Sequence, residues 1–387
     1  MINISDKTNC TGCTACKQIC SKSAISIEYD KIGHSYPIVD INKCINCGLC
    51  EQVCPMLHKE MLPHDNDIAQ LPVFVVYNRD SQVRQKSTSG GIFTALSEQI
   101  IKEGGIIYAA RFDYLYHIIH DSFKTTEQIE PYRGSKYAQS DLTNVFIRIK
   151  HDLKDRKVLF VGTPCQVAGL KSFLRKDYNN LYTCDFICMG ISSSKHWDEY
   201  FETTWKSKNV KRIFFKDKRD GWHNWKMLIE YDGGEYLKKG ADDPFFYGYV
   251  KKLTMRPSCY SCPFRTCRRV SDFTIADAWG IDKVHPEFDD DKGCSTIILQ
   301  NEKAELMFSA IQSKLNVISY SIDDVKKYNP FIVSPIVIHP ERSLFEKLYP
   351  EVGFVDAVNI CKNRKPNLFV RLIRKLKGYY EKKYTRN

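Results

Sequence analysis

Eight of the sixteen cysteines stand in a repeated pattern that can do metal chemistry. Cys10, Cys13, Cys16 and Cys20 follow C-x2-C-x2-C-x3-C, and Cys44, Cys47, Cys50 and Cys54 repeat it 34 residues later, the second copy ending in Cys54-Pro55. Three closely spaced thiolates can take three corners of an iron-sulfur cube, while a fourth beyond a turn points away and completes the neighbouring cube. The predicted ligand sets are therefore Cys10, Cys13, Cys16 and Cys54 for one cluster, and Cys44, Cys47, Cys50 and Cys20 for the other. Tetrahedral zinc is the competing use of paired C-x2-C motifs, but it asks for two pairs per site, and this pattern offers three-plus-one twice. The spacing reads as a bacterial-type two-cluster 4Fe-4S ferredoxin module. Ser21 stands where a proline often follows the fourth cysteine, a small loss of turn rigidity.

A second set is sparser. "CYSCPFRTC" supplies Cys259, Cys262 and Cys267, with Cys165, Cys184 and Cys188 as distant candidates at the ends of strand-like runs. Cys165 sits in "VLFVGTPCQVAGLKSFL", a strand, a turn and a helix start. A thiolate there gains from the helix dipole, which suits a nucleophile or a metal ligand equally. The phosphatase spacing C-x5-R fails because Lys171 occupies the arginine position, and no local His or Asp accompanies Cys165. These residues alone leave ligand, nucleophile and buried structural cysteine open.

The elements that must position these groups come next. At 387 residues the chain can form more than one domain, and its 43% hydrophobic and 27% charged content suits a globular protein with no membrane span. "MINISDKTNC" has neither a basic nor an apolar leader region, so a cytoplasmic location is expected, and a reducing compartment makes metal a better reading of the cysteines than disulfides. Of the net charge of +11, residues 362–387 hold ten Lys/Arg against Glu381, which leaves too little on the body for a nucleic-acid footprint.

The predicted organisation is a ferredoxin-type domain at 1–62, a polar linker at 63–72, a main domain at 73–340 and a basic helical tail at 341–387. Strand-like runs ("VFVVY", "GIIYAARF", "KVLFVG", "DFTIADAWG", "STIILQ") alternate with helix-like stretches ("GIFTALSEQIIKEG", "QVAGLKSFLRK", "KAELMFSAIQSKL"). That gives an α+β chain whose second domain is mixed α/β on a central sheet. In the tail, Leu368, Phe369, Leu372, Ile373, Leu376 and Tyr380 fall near helical spacing, compatible with a solvated helix or with peripheral contact to an anionic membrane.

Several ordered stretches, "STSGGIFTAL", "RGSKYAQS", "VGTPCQVAGL", "RPSCYSCPF", "SDFTIADAWGI" and "DDKGCSTIIL", resemble the coenzyme F420 hydrogenase/dehydrogenase beta-subunit family over about residues 73–300. The resemblance implies FAD bound beside an iron-sulfur cluster, and a mixed α/β flavin-binding domain. By motif it makes Cys165, Cys188, Cys259 and Cys262 the ligands of a third 4Fe-4S cluster, with Cys267 a competitor for the fourth place. Cys184, Cys294 and Cys361 are left as small buried hydrophobes.

"KSTSGGIF" then reads as a phosphate site: Ser87 and Ser89 as helix caps, Gly90 and Gly91 for close backbone approach. Arg133, Lys136 and Tyr137 in "YRGSKY" are assigned to the flavin or its phosphates, with a solvated polar loop as the alternative. Thr163, Asp277 and Trp279 are placed in the same pocket. "DGWHNWK" is read as a substrate-side loop or as aromatic core packing, with His223 as a catalytic acid or base.

A flavin exchanges two electrons with an organic partner and single electrons with iron-sulfur cubes. The expected function is an iron-sulfur flavoprotein oxidoreductase passing electrons between ferredoxin-type 4Fe-4S clusters and FAD to reduce an unidentified small molecule, a glycan precursor in polysaccharide biosynthesis being one class, with a donor or acceptor protein such as ferredoxin as partner. An electron-transfer subunit of a larger redox complex, including one acting on coenzyme F420, is the alternative. A zinc-stabilised scaffold is a third reading.

Overall fold

In the computed structural model, the structure describes residues 1–364; the amphipathic stretch at 368–380 and the basic tail lie outside the described residues. Among the described residues thirteen strands form three sheets. The N-terminal unit holds a hairpin of β1 (Ile25–Tyr29) and β2 (Ser35–Val39) between its two cysteine loops. The main body is built on eight strands: β3 (Val73–Asn78), β4 (Ile106–Phe112), β5 (Ile118–Phe123), β6 (Val158–Val161), β7 (Leu181–Phe186), β11 (Phe273–Asp277), β12 (Ser295–Leu299) and β13 (Leu315–Ser319). A separate antiparallel sheet, β8 (Val210–Asp217), β9 (Lys226–Tyr231) and β10 (Gly234–Lys238), interrupts the sequence between β7 and β11.

The large sheet runs β13-β3-β12-β11-β7-β6-β4-β5. Its centre, β4, β6, β7 and β11, is parallel, and antiparallel strands flank it on both sides. The sequence explains this: "VLFV" and "STIIL" are apolar without alternation, as strands covered on both faces must be. Helices Ile92–Lys102 and Glu302–Ile311 cover one face through Leu96, Ile100, Met307 and Phe308, while Val145–Asp152 and Pro164–Leu174 cover the other through Phe146, Ile149, Leu170 and Phe173. The five expected strand runs and three expected helices all form.

The C-terminal edge of the parallel strands is where loops can converge on a ligand in such sheets. Thr163 and Cys165 follow β6, Cys188 follows β7, and Asp277 ends β11. The neighbouring starts of β12 at Ser295 and the Gly90-Gly91 turn after β3 arrive at the same edge, with Gly90 N donating to Ser295 Oγ at 2.9 Å.

Two expected boundaries change. Residues 63–72 are not a free linker: Asp65 Oδ1 accepts from the N–H groups of Cys267 and Arg268 at 2.7 and 3.0 Å, and Leu71 is buried. Position 340 is no structural break either, because helices Arg342–Val352 and Phe354–Asn363 bury Phe345, Tyr349, Phe354 and Val358 against Trp197, Tyr200 and Phe245. No helix among the described residues is long and apolar enough to cross a membrane.

Candidate redox site

The two repeats make two pockets. Cys10, Cys13, Cys16 and Cys54 line the first, and Cys20, Cys44, Cys47 and Cys50 line the second, so the fourth cysteine of each repeat crosses to its neighbour. Local backbone explains the inward aim. Gly12 and Asn46 occupy the same repeat position at φ 71° and 53°, and Thr14 and Gly48 another at 63° and 74°, left-handed turns that wrap each loop around its pocket. Neither lining contains a carboxylate or a histidine. Among the described residues no three His, Cys, Asp or Glu draw together closely enough for a single metal ion.

The first pocket is docked into the body, and the second is not. Cys13 is buried, and burial pushes its thiol up to about 12; Cys47 is exposed. Helix Pro164–Leu174 approaches so closely at Gly169 that a Cβ there would lie 2.9 Å from Cys13 Sγ. Phe146 N donates to Gln18 Oε1 at 2.8 Å. Arg256, fully buried, is the main polar bolt: Nε donates to Cys10 O at 2.7 Å, Nη2 to Ser35 O at 2.6 Å and toward Cys10 Sγ at 3.5 Å, and Nη1 to Gln139 Oε1 at 3.1 Å.

A third set of cysteines comes together in the body. Cys165, Cys188, Cys259 and Cys262 are electrostatic neighbours: burial raises all four above the ordinary thiol range, and Cys262 beside them raises Cys165, Cys188 and Cys259 further, with Cys188 at about 12 and Cys259 at about 11. An activated nucleophile needs the opposite shift. Helix Pro164–Leu174 starts at a capping box of Thr163 and Gln166 with Pro164 in its first turn, and this fixes Cys165 at the sheet edge. Arg265 ties the other two loops together, donating to Met189 O at 2.9 Å and Cys259 O at 3.2 Å. Cys267 is elsewhere, buried beside Leu71 and Val73. Cys184, Cys294 and Cys361 are buried, as expected. Cys54 and Met56 from the first pocket pack in one apolar cluster with Cys165, Ala168, Cys262 and Phe264, so the first and third groups are neighbours.

Beside the third group lies a set of polar and aromatic residues. Asp277 accepts from Ser89 Oγ on one oxygen and from Lys216 Nζ on the other. Lys216 is 8% exposed; burial alone would lower its pKa, but Asp277 holds it above the usual range. Its ammonium lies 5.0 Å from the ring centre of Trp279 and 5.2 Å from that of Trp225. Trp279 stacks on Trp222 at 4.7 Å. Tyr137 packs on Phe215, Phe246 and Tyr249, and Tyr249 is an electrostatic neighbour of Cys188 and Cys259.

Several expected roles change. Gly91, not a serine, caps helix Ile92–Lys102 and no side chain bonds its first turn; Ser87 Oγ donates back to Val83 O at 2.7 Å, while Ser89 serves Asp277. Gly90 is wedged against Val76 O and Ser295, a fit no Cβ could share. Lys136 donates to the carbonyls of Pro131, Arg133 and Gly134 at 2.9–3.1 Å instead of facing outward, and burial pulls it down to about 7. Arg133 Nε donates to Thr94 Oγ1 at 3.1 Å, and Ser135 N to Thr88 Oγ1 at 2.9 Å, which keeps this loop against the Gly-Gly turn. Thr163 is a helix cap 3.1 Å from Cys165 Sγ, which places it at the third cysteine group. His223 is at the rim, with Nε2 2.7 Å from Asp289 Oδ2 and its backbone N–H on Asp291. Lys216, Asp289, Arg256 and Arg265 were not singled out in the sequence: Lys216 and Asp289 are a lone cation and acid without motif spacing, and Arg256 and Arg265 lie within the quoted cysteine stretches, where the cysteines carried the reading.

Comparison with known proteins adds the following. The family model that describes the C-terminal part of the coenzyme F420 hydrogenase/dehydrogenase beta subunit matches residues 155–324. The 4Fe-4S dicluster domain model matches residues 9–57. Among solved structures, a chain in the xenon-derivatised F420-reducing NiFe hydrogenase complex from Methanosarcina barkeri is similar at 17% identity and a TM-score of 0.49, covering 70% of this chain and 92% of that chain. No curated protein matches.

Proposed function

Because the chain belongs to the coenzyme F420 hydrogenase/dehydrogenase beta-subunit family and opens with a 4Fe-4S dicluster domain, we propose that it is an iron-sulfur flavoprotein reductase with its reaction centre at the sheet edge. The supporting observation is the grouping of twelve cysteines into three sets of four, two of them side by side across Met56, Ala168 and Phe264. All-thiol sets with a crossed fourth ligand fit cubes better than zinc. Cys10, Cys13, Cys16 and Cys54 would hold one cube, Cys20, Cys44, Cys47 and Cys50 a second, and Cys165, Cys188, Cys259 and Cys262 a third. When bound, cubes supply single-electron transfer and FAD converts single electrons to pairs.

The chain's own residues prepare the other half of the reaction. The uncapped start of helix Ile92–Lys102, behind Gly90-Gly91, offers backbone N–H groups to a phosphate, with Arg133 alongside. Lys216 and Asp277 place a buried, hydrogen-bonded ion pair beside the tryptophans, where they orient a polar substrate, while burial first and then Asp277 hold the proton on neighbouring Tyr137 against the pull of Lys216. Trp225 and Trp279, the latter backed by fully buried Trp222, flank Lys216 with aromatic rings on which a sugar ring can stack, in keeping with a glycan precursor as substrate class. His223, oriented by Asp289, can exchange protons with solvent at the rim. Exposed Ile45, which lines the second pocket, and exposed Ile41 on the same loop suit brief docking of an electron-donor protein.

Flavin extracted from anaerobically purified protein tests the proposal: one FAD per chain is expected, and none refutes the flavin assignment. Cys165→Ser is expected to remove about four of twelve irons and leave the N-terminal pair intact. Unchanged iron contradicts the third ligand set.

A further inference from the structure

We infer that Arg256 sets the first N-terminal pocket at a higher reduction potential than the second, so that an electron delivered to the exposed pocket falls inward toward the body. This rests on the proposed occupancy of both pockets by 4Fe-4S clusters. Reduction adds one negative charge behind the four thiolates, and cluster potentials respond to net charge, hydrogen bonds to sulfur and solvent exposure.

Two effects compete at the first pocket. Its burial in a medium of low polarity disfavours an added negative charge, which alone would make it the harder of the two to reduce. Arg256 opposes this. It is fully buried, it keeps its charge at any ordinary pH, and its Nη2 lies 3.5 Å from Cys10 Sγ. Its hydrogen-bond partners among the described residues are Cys10, Ser35 and Gln139, and its guanidinium lies 4.5 Å from the ring centre of Tyr36; none of these is a carboxylate that would cancel its charge. Its field therefore falls on the thiolates undiluted by water, so attraction outweighs the cost of burial.

At the second pocket the donors to sulfur are neutral backbone groups, Ile2 N to Cys50 Sγ at 3.3 Å and Ala24 N to Cys20 Sγ at 3.4 Å. The cations nearby are weak by comparison. The Met1 amine is paired with Glu51 at 3.2 Å in solvent, and Lys22, though it lines the pocket, is exposed, so water and salt screen both. One electron leaves the second site and one arrives at the first; no bond is made or broken, and an external one-electron reductant refills the second. Arg256 is thus a positioning residue for charge, and its place three residues before Cys259 lets one loop serve both the first and third groups.

An EPR-monitored redox titration of the anaerobic holoprotein with dithionite tests this, with the second-site signal assigned from Cys47→Ser. In the wild type the first site is expected to titrate above the second. Arg256→Gln is expected to lower the first site's reduction equilibrium constant about tenfold, about 59 mV for one electron, while the second stays put and the third, whose Cys259 also feels Arg256, moves less. Arg256→Lys, which retains the charge, recovers most of the shift. Full iron content with no shift in Arg256→Gln, or an equal shift at all three sites, overturns the inference and leaves the functional reading intact. If Arg256→Gln loses its iron, the wild-type order decides, and a first site below the second overturns it. A holoprotein without 4Fe-4S signals overturns both.

Discussion

The first and second cysteine pockets come from one repeated sequence, yet they differ in almost every physical respect. The loops share spacing and both left-handed turns. One is capped by helix Pro164–Leu174, Gln139 and a buried arginine; the other is lined by exposed Cys47 and Ile45, with exposed Ile41 on the same loop. The repeat specifies a thiolate cage. What each cage can do is set by its neighbours, which come from residues more than a hundred positions away.

The sharpest way to break the comparison is to exchange the residues at its equivalent turn positions. Gly12→Asn gives the first loop the second loop's residue, but a Cβ there would press on Gln139 and lie 2.9 Å from Arg256 Nη1. Displacing a buried arginine from its partners costs about 3–5 kcal/mol, so thermal unfolding should show a clear drop in midpoint, and residues 63–72 should become protease-sensitive. Asn46→Gly makes the opposite swap without such contacts and should shift stability by only a few tenths of a kcal/mol. Equal effects at the two positions would mean that docking does not distinguish the pockets.

Acid should erase part of the difference. His34, beside the hairpin of the N-terminal unit, and His196, on the body, are buried edge to face at 5.4 Å. Burial lowers both, His196 to about 3, and Arg256 and Arg342 lower His34 further while Arg342 and Lys195 act on His196; Tyr349 and Phe354 pack against His196 from the other helices. Folded pKa values below the unfolded value near 6.5 mean that the unfolded chain binds more protons in this range. Stability is therefore complete above about pH 6.5 and falls as pH drops below it, by about 1.4 kcal/mol per pH unit for each histidine. Melting curves between pH 7.5 and 5 check the sign; a midpoint flat or rising toward acid contradicts it.

Two smaller contrasts follow. In air, the iron of the second pocket should be lost first, because Cys47 is exposed and Cys13 is not; the order of signal loss in timed EPR samples reads this directly. Gln139→Ala removes the donor to Thr11 O and Gly12 O at 3.2 and 3.0 Å, and should cost about 1 kcal/mol in denaturant unfolding with both pockets still filled.

Legibility in the sequence follows the range of the interactions. The crossed grouping of the cysteines was readable because the three-plus-one spacing, repeated in both loops, decides it, and the strands of the large sheet because apolar runs covered on both faces mark burial. The β8–β10 sheet was missed, and the helical stretch after residue 340 was read as a tail and not as part of the core, because mixed polar and aromatic stretches take their burial from each other. Cys267 looked equivalent to Cys262 in sequence, yet Asp65 holds its loop elsewhere. The serines before Gly91 carry cap-forming side chains, but Ser89 is taken by Asp277, a partner 188 positions away. Lys216 and Arg256 matter through what they touch, which no local pattern records.

The central claim is that twelve thiolates gather three iron-sulfur cubes. Iron, acid-labile sulfide and zinc measured together on anaerobically purified full-length protein test it most directly. About twelve irons and twelve sulfides per chain are expected; a colourless protein holding zinc and no sulfide would contradict the account.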